Sequence, residues 1–202
     1  MDLLLVRHAE PIRIDPGLGT PADPHLTDRG GEQSARLAEW LGAEGVDHVA
    51  VSPKRRSIET ATPLATTLGI DIEVLPDLRE YDAEADEYIP VEQMRAAKDD
   101  RWFAMIEGRW EDYGGEPVAS FRARVVPCLE ALIDRFPGGR VAVISHGGVI
   151  NVYLADLLGI ELPIWFDPEY TSISRVAAAR SGQRSVLTVN ETAHLFARRE
   201  AQ

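Results

Sequence analysis

Three observations predict that this chain folds as a three-layer α/β/α structure with a mostly parallel central sheet and a partly helical insertion after the third strand. Short, continuous apolar runs, as in "LLLV" at 3–6 and "VAVI" at 141–144, have the pattern of strands buried on both faces. Between the runs lie stretches whose apolar residues recur every three or four positions, as on one face of a helix. Two of the strands break off at a histidine followed by small residues, "VRHAE" and "ISHGG". Open α/β sheets bind ligands outside such carboxyl ends.

In chain order, Leu3, Leu4, Leu5 and Val6 form the first strand, and the loop "PIRIDPGLGTPADPH" follows. Thr27 is placed to N-cap a helix running to about Ala43, with Leu37, Trp40 and Leu41 facing inward and "GAEG" at its end. "VDHVAVS" at 46–52 is the second strand. Pro53, tolerated in a first turn, opens a helix that carries Lys54, Arg55 and Arg56 in that turn. Its stripe is Ile58, Ala61, Ala65 and Leu68, with a kink expected at Pro63 and a left-handed end at Gly69. "IDIEVL" is a short third strand.

From Asp82 to Glu116 the periodicity fades and the text turns acidic and aromatic, so 82–116 reads as a cap or insertion within a single domain spanning 1–202. Helix returns in "PVASFRARVVPCLEALIDRF", where Phe121, Val125, Leu129, Leu132 and Phe136 make a core stripe despite Pro127. "RVAVIS" is a strand, "HGGVINVYLADLLGI" runs into a helix, and "SISRVAA" and "RSVLTV" are β-rich. No repeat or low-complexity segment interrupts the pattern.

Composition narrows the function classes. A chain of 202 residues buries roughly 70% of its unfolded surface and needs neither disulfide nor structural metal. Cys128 stands alone, and no Cys/His spacing suits zinc, so a reducing, cytoplasmic setting is expected. The start has no signal-peptide pattern, and no run approaches a membrane span. The net charge of −12 argues against general affinity for nucleic acid or anionic membrane. An anionic ligand must therefore be held by a local basic cluster.

Such a cluster is predicted where three strand ends meet: His8 with Arg7, His146 with Gly147, and the basic helix start after Ser52. Each element alone is unremarkable; together they describe a phosphoryl pocket. Neutral imidazole is a good nucleophile near pH 7 once one ring nitrogen is fixed, so His8 or His146 can attack phosphorus. Arginines offer paired donors to phosphate oxygens and stay charged. A leaving alkoxide needs a proton from a carboxylic acid of raised pKa. Glu80 in "LPDLREYD" is the candidate, although Asp77, Asp82 and Glu84 qualify on the residues alone.

Over nearly its whole length the chain resembles the histidine phosphatase superfamily, the phosphoglycerate-mutase-like group. The family's Arg-His-Gly signature is similar to "VRHAE", its "LT..G..QA" pattern to "LTDRGGEQSA", its "SP..RA..TA" helix to "SPKRRSIETA", and "SHGG" is intact. The resemblance implies His8 as nucleophile, Arg7 and Arg56 rather than Arg55 as phosphate arginines, and Glu80, from "LRE", as proton donor. It implies that His146 contacts phosphoryl oxygens, and that hydrolysis proceeds through phosphohistidine with no metal or other cofactor. Three departures stand out: Ala9 replaces the signature glycine with Pro11 soon after, Pro117 replaces the serine of a "GES" motif, and an asparagine common after the signature is missing.

The leading function is a phosphomonoesterase acting on a small phosphorylated substrate, as a monomer or a homodimer. Alternatives are a cofactor-dependent phosphoglycerate mutase, a phosphoprotein phosphatase, which would need an open groove, and a non-catalytic phosphate-binding module. The four acids of "YDAEADEY" are either a solvated loop or a feature that favours a cationic substrate body. His194, near the C-terminus, is expected to pack the fold.

Overall fold

β1 (Asp2–Arg7) sends alternate side chains to opposite faces of the sheet, Leu3 and Leu5 into one core and Leu4 and Val6 into the other. Both faces are covered, which is why the run is apolar without a break. The computed structural model describes residues 1–17 and 19–196. Its sheet has six strands in the order β3-β2-β4-β1-β5-β6. β2 (His48–Val51), β3 (Ile72–Val74) and β4 (Arg140–Ser145) run parallel to one another and to β1, whereas β5 (Ile173–Ala178) and β6 (Arg184–Glu191) add an antiparallel pair at one edge.

Helices α1 (Asp28–Glu44) and α2 (Arg55–Leu68) cover one face, where Leu37, Leu41 and Leu64 meet Leu4, Val6 and Val51. On the other face lie α5 (Val118–Arg135) and α6 (Gly147–Leu158), whose Phe121, Leu129 and Tyr153 meet Leu3, Leu5 and Val143. Burying each such leucine contributes about 1.5–3 kcal/mol. Between β3 and α5 the chain forms α3 (Val91–Ala97), α4 (Asp100–Glu107) and a 3₁₀ turn at Trp110–Tyr113, so 82–116 is partly helical. α7 (Ala193–Phe196) follows β6; residues 197–202 of the tail lie outside the described residues.

Several local expectations need correction. Trp40 is 38% exposed and leans on the His194 ring, because the buried stripe is Leu37–Leu41 and Trp40 sits about 100° around the helix from Leu41. Phe136 lies one residue past α5 and stacks on His48 at 4.2 Å. α2 starts at Arg55, not Pro53: Lys54 is extended because Ser52 Oγ accepts from its N–H while its ammonium reaches the Ala22 and Ala83 carbonyls. Leu64 is fully buried, whereas Ile58 and Leu68 are only partly so. β3 is three residues long, with Val74 46% exposed.

Candidate active site

β1 pairs with β4 in register, Arg7 opposite Ser145, and β2 pairs with β4 on its other side. The three polar junctions therefore open at one edge of the sheet. His8, 3% exposed, accepts its position from two bonds: its N–H to the Ser145 carbonyl at 2.8 Å, and ring Nδ1–H to the Ala9 carbonyl at 2.8 Å. That leaves Nε2 as the acceptor nitrogen at the pocket, where it takes a hydrogen bond from Arg56 Nε–H at 3.2 Å. Burial, then the Arg56 and Arg7 charges, hold the His8 pKa well below the usual imidazole value despite the Ala9 bond. The ring is neutral at pH 7.

Arg56 also donates from Nη2 to His146 Nδ1 at 3.2 Å, and His146 Nε2 lies 2.7 Å from Ser52 Oγ. With Nδ1 accepting, Nε2–H donates to Ser52; a hydroxyl can reverse that polarity and leave Nδ1–H to donate to an anion. The rings of His8 and His146 meet edge to face, 5.2 Å between centroids. Arg7 stacks its guanidinium 3.9 Å over Tyr170 and donates to the Pro168 carbonyl at 2.5 Å and to Glu92 at 3.0 Å. Gly147 is the first residue of α6, so its N–H belongs to the helix end that attracts anions.

Glu80 brings a carboxyl to the same edge. Its Oε2 accepts from Gly148 N–H at 2.9 Å and its Oε1 from Tyr81 N–H at 3.2 Å. Although some of its surface faces the pocket, dense protein surrounds the carboxyl. Burial, then Asp82, push its pKa up to about 7 against the two N–H bonds and Arg56. Of the rival acids, Asp77 and Glu84 are exposed, and Asp82 lines the pocket beside Glu80. In the acidic stretch, Asp86 accepts from Gly17 N–H and Glu87 binds Arg101 at 2.8 Å, so Asp82 alone faces the pocket. The outer walls come from α3, α4 and the segment before β5, enclosing about 570 Å³.

The patterns around the site have physical roles that bring the remaining pieces together. Thr27 caps α1 by accepting from Gly30 N–H at 3.0 Å, Gln33 accepts from Glu10 N–H at 2.9 Å, and a Cβ on Gly30 would sit 2.2 Å from the Glu10 carbonyl oxygen. Thr27, Gly30 and Gln33 thus clamp the chain just after His8. A family model described as histidine phosphatase superfamily (branch 1) matches residues 3–192. The chain belongs to that superfamily.

Among curated relatives, this histidine phosphatase is 31% identical over 201 residues to phosphoserine phosphatase 1 of Hydrogenobacter thermophilus, covering 96% of this chain and 93% of that one. It is 26% identical over 165 residues to a probable phosphoglycerate mutase of Yersinia enterocolitica, covering 79% and 76%. Its fold matches the mycobacterial glucosyl-3-phosphoglycerate phosphatase complexed with VO3 at a TM-score of 0.76 and 24% identity, covering 95% and 99%. An Entamoeba histolytica phosphoserine phosphatase variant bound to phosphoserine matches at 0.74 and 22%, covering 96% and 98%. The chain is a phosphatase of the histidine phosphatase type.

The structure brings Arg7, His8, Arg56, Glu80 and Gly147 of this histidine phosphatase to one pocket, with the fully buried His146 bonded to Arg56 behind its wall. Arg55 is left outside, paired with Glu59 at 2.6 Å. Ala9 is fully buried and its N–H donates to Thr60 Oγ1 at 2.9 Å, so the methyl is accommodated where the family has glycine. Pro117 precedes α5 rather than entering it, and leaves that helix start without a side-chain cap. Sequence reasoning missed Thr60 and Arg124, and gave Gly148 of "SHGG" no role of its own. A Cβ on Gly148 would meet Glu80 Oε1 at 2.2 Å, and Arg124, held by Glu116 at 2.7 Å, donates to the Asp77 carbonyl at 2.5 Å beside the Glu80 loop. The "GE" of "GEP" was the available signal for that last contact. His194 is buried with Nε2 3.1 Å from Thr171 Oγ1, behind the site.

Proposed function

We propose that this histidine phosphatase hydrolyses a small phosphorylated metabolite through a phosphohistidine on His8, with Glu80 as proton donor. The observation that carries the reading is the pairing of a neutral, backbone-fixed His8 with a carboxyl whose pKa is raised to about 7. His8 Nε2 forms the bond to phosphorus as the ester P–O bond breaks, and the Glu80 proton goes to the leaving oxygen. Arg7, Arg56 and the His146 and Gly147 N–H groups meet the charge on the equatorial oxygens. Water then attacks the phosphohistidine, Glu80 now takes a proton, and P–N cleavage returns neutral His8. Residues 82–116 act as a cap, since α3 and α4 supply one wall of the pocket.

The test is phosphate release from a panel of phosphorylated metabolites by wild type and His8→Ala, with alkaline-quench trapping of labelled phosphohistidine. Loss of both release and label in the variant is expected. Equal release by the two proteins refutes the nucleophile assignment. Incubation with 3-phosphoglycerate and a trace of 2,3-bisphosphoglycerate separates the mutase reading, which demands isomerisation without net phosphate release.

A further inference from the structure

We propose that the pocket above the phosphate clamp is built for the ester of a bulky, apolar alcohol that carries no carboxylate. The inference rests on the phosphatase reading and names the substrate class of that same site. Three features carry it. The cavity, about 570 Å³, falls within the range that encloses drug-sized ligands and far exceeds a phosphoryl group joined to a three-carbon acid. Its walls are Met94, Trp102, Met105 and Ile106 on one side and Trp165 and Phe166 on the other. Flat rings and pliant methionines accept apolar groups of varied outline.

The third feature is charge. Apart from Arg7 and Arg56, the further Lys or Arg lining this pocket among the described residues is Arg95, and it is bonded to Asp167 at 2.7 Å. Asp82 and Glu107 line the same space. Glu107 pairs with Arg109 at 2.9 Å, so a carboxylate on the alcohol would meet Asp82 and an Arg95 already bonded to an acid. Asn151, the amide at the back of the pocket, is fully engaged: its Nδ2 donates to the Gly147 and Phe166 carbonyls, and its Oδ1 accepts from the Trp165 and Phe166 N–H groups. It has no hydrogen-bonding capacity left to recognise a polar substrate body.

The experiment compares kcat/KM for ethyl, butyl, hexyl and 2-phenylethyl phosphate with that for phosphoserine and 3-phosphoglycerate. Primary alkyl alcohols are similar leaving groups, so the series reads the wall and not the chemistry. Each buried methylene is expected to raise kcat/KM about fourfold until the pocket is filled, with the hexyl and phenylethyl esters exceeding both carboxylate-bearing ones. Ile106→Asp and, separately, Trp165→Ala should lower the hexyl-to-ethyl ratio. Hydrolysis that is flat across the alkyl series, or fastest for phosphoserine or 3-phosphoglycerate, overturns this proposal and leaves the phosphatase reading standing. Release from no ester above the His8→Ala level overturns the phosphatase reading and this proposal with it.

Discussion

Replacing Glu80 by Gln should make the protein more stable and much less active, with the stability gain growing as pH rises. The carboxyl titrates at about 7 in the fold against 4.5 as its reference, a difference of 7 − 4.5 = 2.5. At 1.36 kcal/mol per pKa unit, the fully ionised side chain costs the fold about 3 kcal/mol. Because the folded value lies above the unfolded one, no cost exists well below pH 4.5, it grows between 4.5 and 7, and it is complete above 7. Urea denaturation should thus show Glu80→Gln exceeding wild type by under about 1 kcal/mol at pH 5 and by about 3 kcal/mol at pH 9. Gln keeps an oxygen to accept from Gly148 N–H and gives up the longer bond from Tyr81 N–H, a loss that does not vary with pH, so the change between pH 5 and 9 is the diagnostic quantity. It cannot donate a proton to a leaving alkoxide, and kcat/KM should fall about 10²–10⁴-fold. A stability difference that does not change between pH 5 and 9 would refute the raised pKa; unchanged turnover would refute the proton-donor role.

The same titration predicts that wild-type kcat/KM declines as pH climbs past about 7, where Glu80 loses the proton it must give; a pH profile with no such limb contradicts the assignment. Gly148→Ala places a methyl carbon 2.2 Å from Glu80 Oε1 and must move the carboxyl, so kcat should fall by about 10²-fold or more with little change in melting temperature. Thr60→Val leaves the buried Ala9 N–H without its acceptor and should cost about 1–3 kcal/mol in denaturant titration. Ser52→Ala removes the partner 2.7 Å from His146 Nε2 and should lower kcat about tenfold, measurable in the same phosphate-release assay.

The layered fold was legible because its causes are local and periodic. Continuous apolar runs such as Leu3–Val6 arise only where both sheet faces are covered, and Thr27 and Gly69 cap helices by their own short-range geometry. Where the reading slipped, the deciding force was tertiary. Trp40 has the composition of a core residue and lost its place to Leu37 and Leu41, which share one helix face. Lys54 has helix-compatible chemistry, and two distant carbonyls hold it extended.

The site divides in the same way. By itself the sequence determined the chemical parts, two histidines and two arginines at strand and helix ends, because residue type and position along the strand suffice to place them at a sheet edge. Residue type alone could not separate Glu80 from Asp77, Asp82 and Glu84, since all four are acids within a few residues, and only the family resemblance of "LRE" singled it out. The tertiary structure leaves Asp77 and Glu84 exposed and packs Glu80 against the N-terminus of α6, next to a glycine with no Cβ to exclude it. It also decided what the opening junction "LLLVRHAE" is for: burial makes His8 neutral and the Ala9 carbonyl fixes its tautomer. The tautomer bond is local, from the next residue, but the charge of Arg56 and the Ser145 carbonyl that help to bury and hold His8 come from far along the chain and meet it only when the sheet closes.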